Sequence, residues 1–331
     1  MVEQMSSLDL GTSTTRVNSR LPGDAEFQDG LQRDSGATAT KVTTCAPGAF
    51  FFVRSTLLPV AEANRAKFAA ATPFPHLVLD NLLPDDVLDQ AAAEFPPANA
   101  GGWIRYDHNK ARKLAIADER IFGPTCRQLM CQLNSATFID FLECLTGVEG
   151  LIPDPYHLGG GLQQVERDGF LKVHTDVTYH KVSNLDRRVN VLVYLNRDWE
   201  SSWGGQFELW SEDVSWHKAI DPVFNRMVIF TTHAAKHGHP DPLRCPEGTA
   251  RRSLALHYYS NGRPDCECAS RDDVRHFERP GESFIPRKEP TAPRLSARGW
   301  GKEVVPPIVV RLGERLREKR SGSRRSRGPV T

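Results

Sequence analysis

His174 and Asp176 stand one residue apart in GFLKVHTDVTYHK, Gly169 to Lys181, inside a segment that otherwise has the character of a strand. Residues two apart on a strand project from the same face. An imidazole and a carboxylate are therefore presented side by side from a stiff backbone, which is two-thirds of a metal site. A third ligand is available downstream in FTTHAAKHGHPDPL, where His233, His237 and His239 follow the apolar run RMVIF. Two imidazoles and one carboxylate leave coordination positions open, the facial arrangement of non-haem Fe(II) oxygenases, in which dioxygen and a co-substrate must both reach the metal. The competing chemistry is a zinc hydrolase built on His233, His237 and His239. HAAKH has the i, i+4 spacing of a helical zinc pair but lacks the glutamate that serves as base in such motifs.

An Fe(II) oxygenase needs two electrons beyond those of the oxidised bond, and a 2-oxoacid supplies them by chelating iron and losing carbon dioxide. A co-substrate with a distal carboxylate requires a fixed cation. Arginine suits the task because its planar fork pairs bidentately with carboxylate and keeps its charge. ARRSLALHYYS places Arg251 and Ser253 two apart, on one strand face, and turns Arg252 the other way.

These residues must be carried by a fold, and the chain is long enough for one: 331 residues, 39% apolar, with a formal net charge of +1. That balance draws the protein neither to nucleic acid nor to an acidic membrane. Seven cysteines (Cys45, Cys126, Cys131, Cys144, Cys245, Cys266 and Cys268) are odd in number and mostly isolated, which predicts a reducing cytoplasm rather than a disulfide scaffold. Cys266 and Cys268 lack a partner pair at zinc spacing and are taken as incidental. No apolar run approaches the roughly 18 residues of a membrane span, and the N-terminus lacks the features of a secretion signal.

Residues 1–45 are rich in Ser, Thr, Gly and Asp and are expected to be a disordered leader. Residues 46–150 are expected to form a strand and helical support region. It holds a short strand at His76–Leu79, a helix opened by Pro84-Asp85-Asp86, and a helical stretch over Pro124–Gly147 with Leu129, Leu133, Phe138, Phe141, Leu142 and Leu145 on its buried face. Residues 151–260 break into short apolar runs bounded by Gly, Pro and Asn, the pattern of an antiparallel sandwich or barrel. Residues 261–331 are expected to wrap the surface and to finish in a basic, disordered end.

LKVHTD, RRVNVLVYLNRDW, WGGQFELW, FNRMVIFTT, KHGHPDPL and RRSLALHYYS, in this order, resemble the core of the prolyl-4-hydroxylase-like branch of the 2-oxoglutarate- and Fe(II)-dependent dioxygenases, over Pro73–Ser260. The resemblance implies an α+β, mainly β fold, a double-stranded β-helix (jelly roll) with N-terminal helices packed on one sheet. It implies His174, Asp176 and His237 as catalytic metal ligands, because HGHPDP resembles the family's H-G-x-P-D-P, whose first histidine binds iron. His239 is the alternative to His237, and His233 falls to a loop or to the surroundings of the site. Arg251 with Ser253 matches the binder of the distal carboxylate, with Arg252 as alternative because PDPLRCPEG lengthens the interval before it. Tyr194 sits where the family places a hydroxyl against that carboxylate, and Asn190 and Leu192 share its inward face by the two-residue period. Where relatives carry histidine or tyrosine near the metal-proximal carboxylate, this chain has Gln163 and Gln164, of which Gln163 is the candidate.

The implied cofactors are Fe(II), 2-oxoglutarate as co-substrate and O2, with ascorbate as a stimulant. The implied reaction is hydroxylation of an unactivated C–H bond in an amino-acid-, peptide- or natural-product-type substrate, with release of succinate and CO2. Asp176 disfavours halogenation, which needs a small residue there, whereas desaturation and epoxidation stay open. The partner is a small-molecule or peptidyl substrate, with no nucleic acid or membrane required and the oligomeric state open. A catalytically silent cupin-like metal- or ligand-binding module is the remaining rival, disfavoured by the full ligand set. Tyr179, His180, Arg105, Tyr106 and His108 are candidate substrate contacts, the last three in a lid or exposed loop. Trp199, Trp203 and Trp210 are taken as structural.

Overall fold

Val189, Val191 and Val193 are fully buried toward one face of the strand Asp186–Tyr194, while Asn190, Leu192 and Tyr194 alternate toward the other. That single strand separates the two sides on which the protein is organised. The computed structural model describes residues 50–263 and 273–284. In chain order its elements are α1 (Arg54–Ala69), β1 (His76–Asp80), α2 (Asp85–Ala93), β2 (Ile104–His108), β3 (Ala111–Ile116), α3 (Pro124–Leu133), α4 (Ala136–Thr146), β4 (Ile152–Pro153), β5 (Gly161–Glu166), β6 (Phe170–Thr175), β7 (Asp186–Tyr194), β8 (Phe207–Trp210), β9 (His217–Ile220), β10 (Arg226–Thr231), β11 (Lys236–His239), β12 (Ala250–Ser260) and β13 (Arg275–His276).

Every strand pair is antiparallel, in the order β1-β10-β7-β12-β5-β3-β6-β11-β8-β9. Strand β3 pairs with both β5 and β6 and so joins the two halves. The sheet curls into a double-stranded β-helix, as the resemblance implied. The helices cover one face of it. Leu254, Leu256 and Tyr258 of β12 and the three valines of β7 share a core with Leu129 and Leu133 of α3 and Phe138, Phe141 and Leu142 of α4. The opposite face is left for the site.

Several expectations change at the helical end. The stretch from Pro124 to Gly147 is two helices, because the Ser135 hydroxyl accepts from Phe138 N and caps a new start. Gly147, at φ 72°, ends α4 as expected. Helix α1 was not foreseen; its buried positions are sparse, Leu57, Ala61 and Phe68. The boundary expected at 150 falls inside the sheet, since β1 pairs with β10 and β3 with β5 and β6. The segment read as a lid or exposed loop is the β2–β3 hairpin.

Part of the segment expected to wrap the surface does more than that. Residues 273–284 add β13 to β6, pairing Arg275 with Thr175 and His276 with His174. Phe277 packs on Val173, Trp210 and Val214, Glu282 pairs with Lys172, and Arg279 Nη2 lies 2.6 Å from Asp241 Oδ1. The expected leader at 1–45, the Cys266/Cys268 pair and the basic end lie outside the described residues. Cys126, Cys131, Cys144 and Cys245 are free thiols. Among the described residues no helix is long and apolar enough to cross a membrane.

Glu208 on β8 gives the fold a pH dependence. Burial pushes its carboxyl from 4.5 up to about 7, against the hydrogen bond from the Trp210 indole and the charge of Arg279, with Asp241 and Glu282 adding to the rise. An acid that binds its proton more tightly when folded stabilises the fold fully below its unfolded pKa and loses that contribution as pH rises through its folded one. Stability is therefore expected to fall between pH 4.5 and about 7, by up to about 3 kcal/mol. Thermal melts of Glu208→Gln across that range should be flatter than wild type; parallel curves would contradict this.

Candidate metal centre and its two cavities

His174 lies one residue before the end of β6, Asp176 follows its last residue, and His237 lies on β11 in register opposite His174. Strand pairing thus brings the distant histidine onto the His-x-Asp pair. One ligand atom from each lies within 4.8 Å of the others, and this is the grouping of its kind found among the described residues. Asp176 Oδ1 is 3.5 Å from His174 Nε2, and Asp176 Oδ2 is 3.6 Å from His237 Nε2.

The donor chemistry fits a divalent metal. His174 Nδ1 donates to Lys172 O at 2.9 Å and His237 Nδ1 to Ala235 O at 3.0 Å. A carbonyl can only accept, so each ring carries a proton on Nδ1 and turns its Nε2 toward Asp176. Burial pushes His237 down to about 4, against the pull of Asp176. Asp176 is buried as well, which opposes ionisation, but Arg187, His237 and His174 outweigh this and hold its carboxyl well below the usual range. Two imidazole Nε2 atoms and one carboxylate thus face a common point.

Asn190, which lines the inner cavity, also reaches the triad. Its Nδ2 donates to Asp176 Oδ2 at 2.7 Å, its Oδ1 accepts from Arg187 Nε at 2.9 Å, and Arg187 Nη2 lies 3.2 Å from Asp176 Oδ2. Arg187 was not singled out in the sequence; with Asn190 it fixes the carboxylate in both position and charge. Partners of this kind are typically worth about 10–100-fold in metal affinity. Asn190→Leu is accordingly expected to weaken Fe(II) binding by about tenfold or more, with about 1–3 kcal/mol of stability lost because the buried Arg187 Nε loses its acceptor. Equilibrium dialysis measures it, and unchanged affinity would remove Asn190 from the centre.

Behind the triad lies an inner cavity of about 80 Å³ whose walls include Arg251, Ser253, Gln163, Asn190, Leu192 and His237. Arg251 Nη2 donates to the Tyr194 hydroxyl at 3.0 Å and its Nε to Gly205 O at 2.8 Å. Gly205 has φ +74°, and a Cβ there would come 3.1 Å from Arg251 Cδ, so the second glycine of WGGQF is required for this approach. Ser253 pairs in register with Gln163 on one side and Tyr194 on the other. Arg252 goes the other way, donating to Gln164 Oε1 at 3.1 Å and to Ala92 O, over the Phe95 ring. Both members of that outward pair belong to the helical side.

The remaining histidines separate cleanly. His233 is exposed in a turn, and His239 is buried on the inner cavity, where burial holds it neutral. His233, His237 and His239 do not converge, so the zinc arrangement is not formed. Gly238 between the last two cannot take a side chain, since a Cβ would meet Leu171 O at 2.7 Å.

In front of the triad an outer cavity of about 420 Å³ is lined by Tyr106, His108, Tyr179, His180, Tyr259 and His276, among others. Arg105 is not one of them: it donates to Ala98 O on the surface. His180 is buried, with Nε2 3.4 Å from Asp154 Oδ1 and Nδ1 accepting from Ser183 N at 3.0 Å. His276 arrives from β13 and stacks on His174 with ring centroids 5.8 Å apart. Trp199, Trp203 and Trp210 line neither cavity; Trp199 and Trp203 meet edge-on.

Residues 160–259 match the family model of the 2OG-Fe(II) oxygenase superfamily. No curated protein matches. Among solved structures, a Pseudomonas putida prolyl-4-hydroxylase is 18% identical, with 62% of this chain and all of that one covered and a TM-score of 0.45. A prolyl hydroxylase from Trichoplax adhaerens, in complex with a hypoxia inducible factor peptide fragment, is 15% identical over 65% of this chain and 96% of that one, with a TM-score of 0.49. HygX from Streptomyces hygroscopicus, with nickel and 2-oxoglutarate bound, is 13% identical over 60% and 86%, with a TM-score of 0.41.

Proposed function

From the premise that residues 160–259 are a domain of the 2OG-Fe(II) oxygenase superfamily, we propose that the protein is a hydroxylase acting on an unactivated C–H bond of a small-molecule or peptidyl substrate. The observation that carries this reading is the convergence of His174, Asp176 and His237 at the junction of two cavities, one of which ends on Arg251. His174 and His237 would hold Fe(II) through Nε2 and Asp176 through a carboxylate oxygen. Fe(II) and 2-oxoglutarate, when bound, would supply the electrons that activate O2, the oxidant: one oxygen atom would enter the C–H bond and the other succinate, as 2-oxoglutarate loses CO2.

The chain's own residues do the rest. Arg251 and Ser253, with the Tyr194 hydroxyl, bind and orient the distal carboxylate of 2-oxoglutarate. Asn190 and Arg187 keep Asp176 ionised and immobile, so the metal-binding face is formed before anything binds. Tyr106, Tyr179 and Tyr259 line the outer cavity, where a substrate lies against the triad. A volume of about 420 Å³ suits a small molecule or one residue of a peptide. The free thiols support a reducing, cytoplasmic setting.

The test is turnover of 2-oxoglutarate in the presence of Fe(II) and O2, with succinate and CO2 measured across a panel of amino acids, short peptides and natural products. Substrate-dependent succinate formation with one oxygen atom of O2 in the product supports hydroxylation. Loss of two hydrogens without oxygen incorporation would replace it by desaturation.

A further inference from the structure

Lys113 lines both the inner and the outer cavity, as do His174, Asp176 and Arg187. Strand β3 delivers it there. Ala111 faces Leu171 and Ala115 faces Gln163, so Lys113, midway between them, shares their inward face. Its Nζ donates to Gln163 Oε1 at 2.8 Å and lies 5.4 Å from the centre of the Tyr106 ring. An ammonium group carries three donors. Among the described residues, no carboxylate forms an ion pair with it.

A charge removed from water is costly unless paired, and the neighbouring cations are already engaged. Arg187 is held by Asp176 and Asn190, and Arg251, fixed by the neutral Gly205 O and Tyr194 hydroxyl, is assigned above to the distal carboxylate. Apart from Asp176, neither cavity has a carboxylate among the described residues of its walls. The junction therefore offers one ammonium, oriented by an amide oxygen, beside a metal centre whose single carboxylate, Asp176, is paired with Arg187. One such cation balances one carboxylate; the second charge of a phosphate would find the other cations occupied.

We propose that Lys113 is a second carboxylate-binding cation of the site, taking the carboxylate that lies at the junction of the two cavities. This rests on the oxygenase reading above. Burial lowers its pKa to about 8, Asp176 opposing and Arg251 and Arg187 adding, so the group stays mostly charged at neutral pH and gains from an anion beside it. Two carboxylates reach this position: the metal-proximal one of the 2-oxoacid, and one carried by the substrate. Lys113 is a positioning residue in either case.

The experiment uses the full chain loaded with Fe(II) under anaerobic conditions, as wild type, Lys113→Gln, Lys113→Arg and Arg251→Met. The first probes are 2-oxoglutarate and pyruvate, which share the metal-proximal carboxylate and differ in the distal one. If the 2-oxoacid is the source, Lys113→Gln raises both dissociation constants by the same factor, about tenfold or more. It then preserves the preference for 2-oxoglutarate that Arg251→Met erases, and Lys113→Arg recovers most of the affinity. The second probes are N-acetyl amino acids against their amides, binding to the Fe(II) and 2-oxoglutarate complex and read by ligand-observed NMR. Unchanged 2-oxoacid constants, with a wild-type preference for acids that Lys113→Gln abolishes, make the substrate the source. Lys113→Gln indistinguishable from wild type in both arms overturns the proposal. A wild type that binds neither Fe(II) nor 2-oxoglutarate overturns the oxygenase reading itself, and a uniform loss across all probes that Lys113→Arg fails to restore marks a merely structural lysine.

Discussion

Asp176→Ala lowers Fe(II) affinity by more than about 100-fold and reduces turnover to background, since even the partners that orient ligands are worth about 10–100-fold. Asp176 is the ionised member of the triad, and nothing else on either cavity wall among the described residues can replace its charge. The substitution also leaves the buried Arg187 guanidinium facing an empty position, although Asn190 still accepts from it. Removing one partner of a buried ion pair typically costs about 3–5 kcal/mol, so the melting temperature of the metal-free protein should fall as well. Asp176→Asn separates the two effects, because it keeps the volume while removing the charge. Equilibrium dialysis with Fe(II), paired with thermal melts, measures both, and a variant that binds Fe(II) as wild type does would place the metal elsewhere.

Arg251→Met has the second-largest effect and a different signature. Truncating one partner of a buried, hydrogen-bonded charge pair costs about 2–5 kcal/mol, so the dissociation constant for 2-oxoglutarate should rise by about 100-fold or more while Fe(II) affinity stays put. The guanidinium is pre-set for this task, with Nε fixed on Gly205 O and Nη2 on the Tyr194 hydroxyl. Arg251→Lys should recover only part of the loss, because an ammonium cannot reproduce a planar fork. Isothermal titration of the anaerobic Fe(II) protein gives both constants. Equal loss of metal and 2-oxoglutarate binding would indicate a collapsed cavity instead.

The parts of this site that were legible in the sequence are those fixed by strand alternation and local motifs. His174 with Asp176, Arg251 with Ser253, and the opposite facing of Arg252 all follow from a two-residue period, and the structure sets the first pair in the triad and Arg251 in the inner cavity. His237 rather than His239 joins the triad because its register partner on β6 is His174, whereas His239 pairs with Leu171. What was not legible depends on long-range pairing. Lys113 reaches the junction because β3 bridges β5 and β6, and His276 because β13 adds to the edge of β6. The side-chain amide of Asn190 was legible as facing inward, but its bond to Asp176 was not, since that bond crosses from β7 to the loop after β6. At the helical end, Ser135 acts as a cap inside an apolar pattern that otherwise runs through it.

The central claim is that His174, Asp176, His237 and Arg251 assemble one centre for Fe(II) and 2-oxoglutarate. Anaerobic titration of the metal-free protein with both, watching the weak visible metal-to-ligand charge-transfer band, tests it most directly. A saturable band that needs both components, disappears in Asp176→Ala and shifts to higher 2-oxoglutarate concentration in Arg251→Met is the predicted result. No band in the wild type, with zinc bound tightly in its place, would contradict the account.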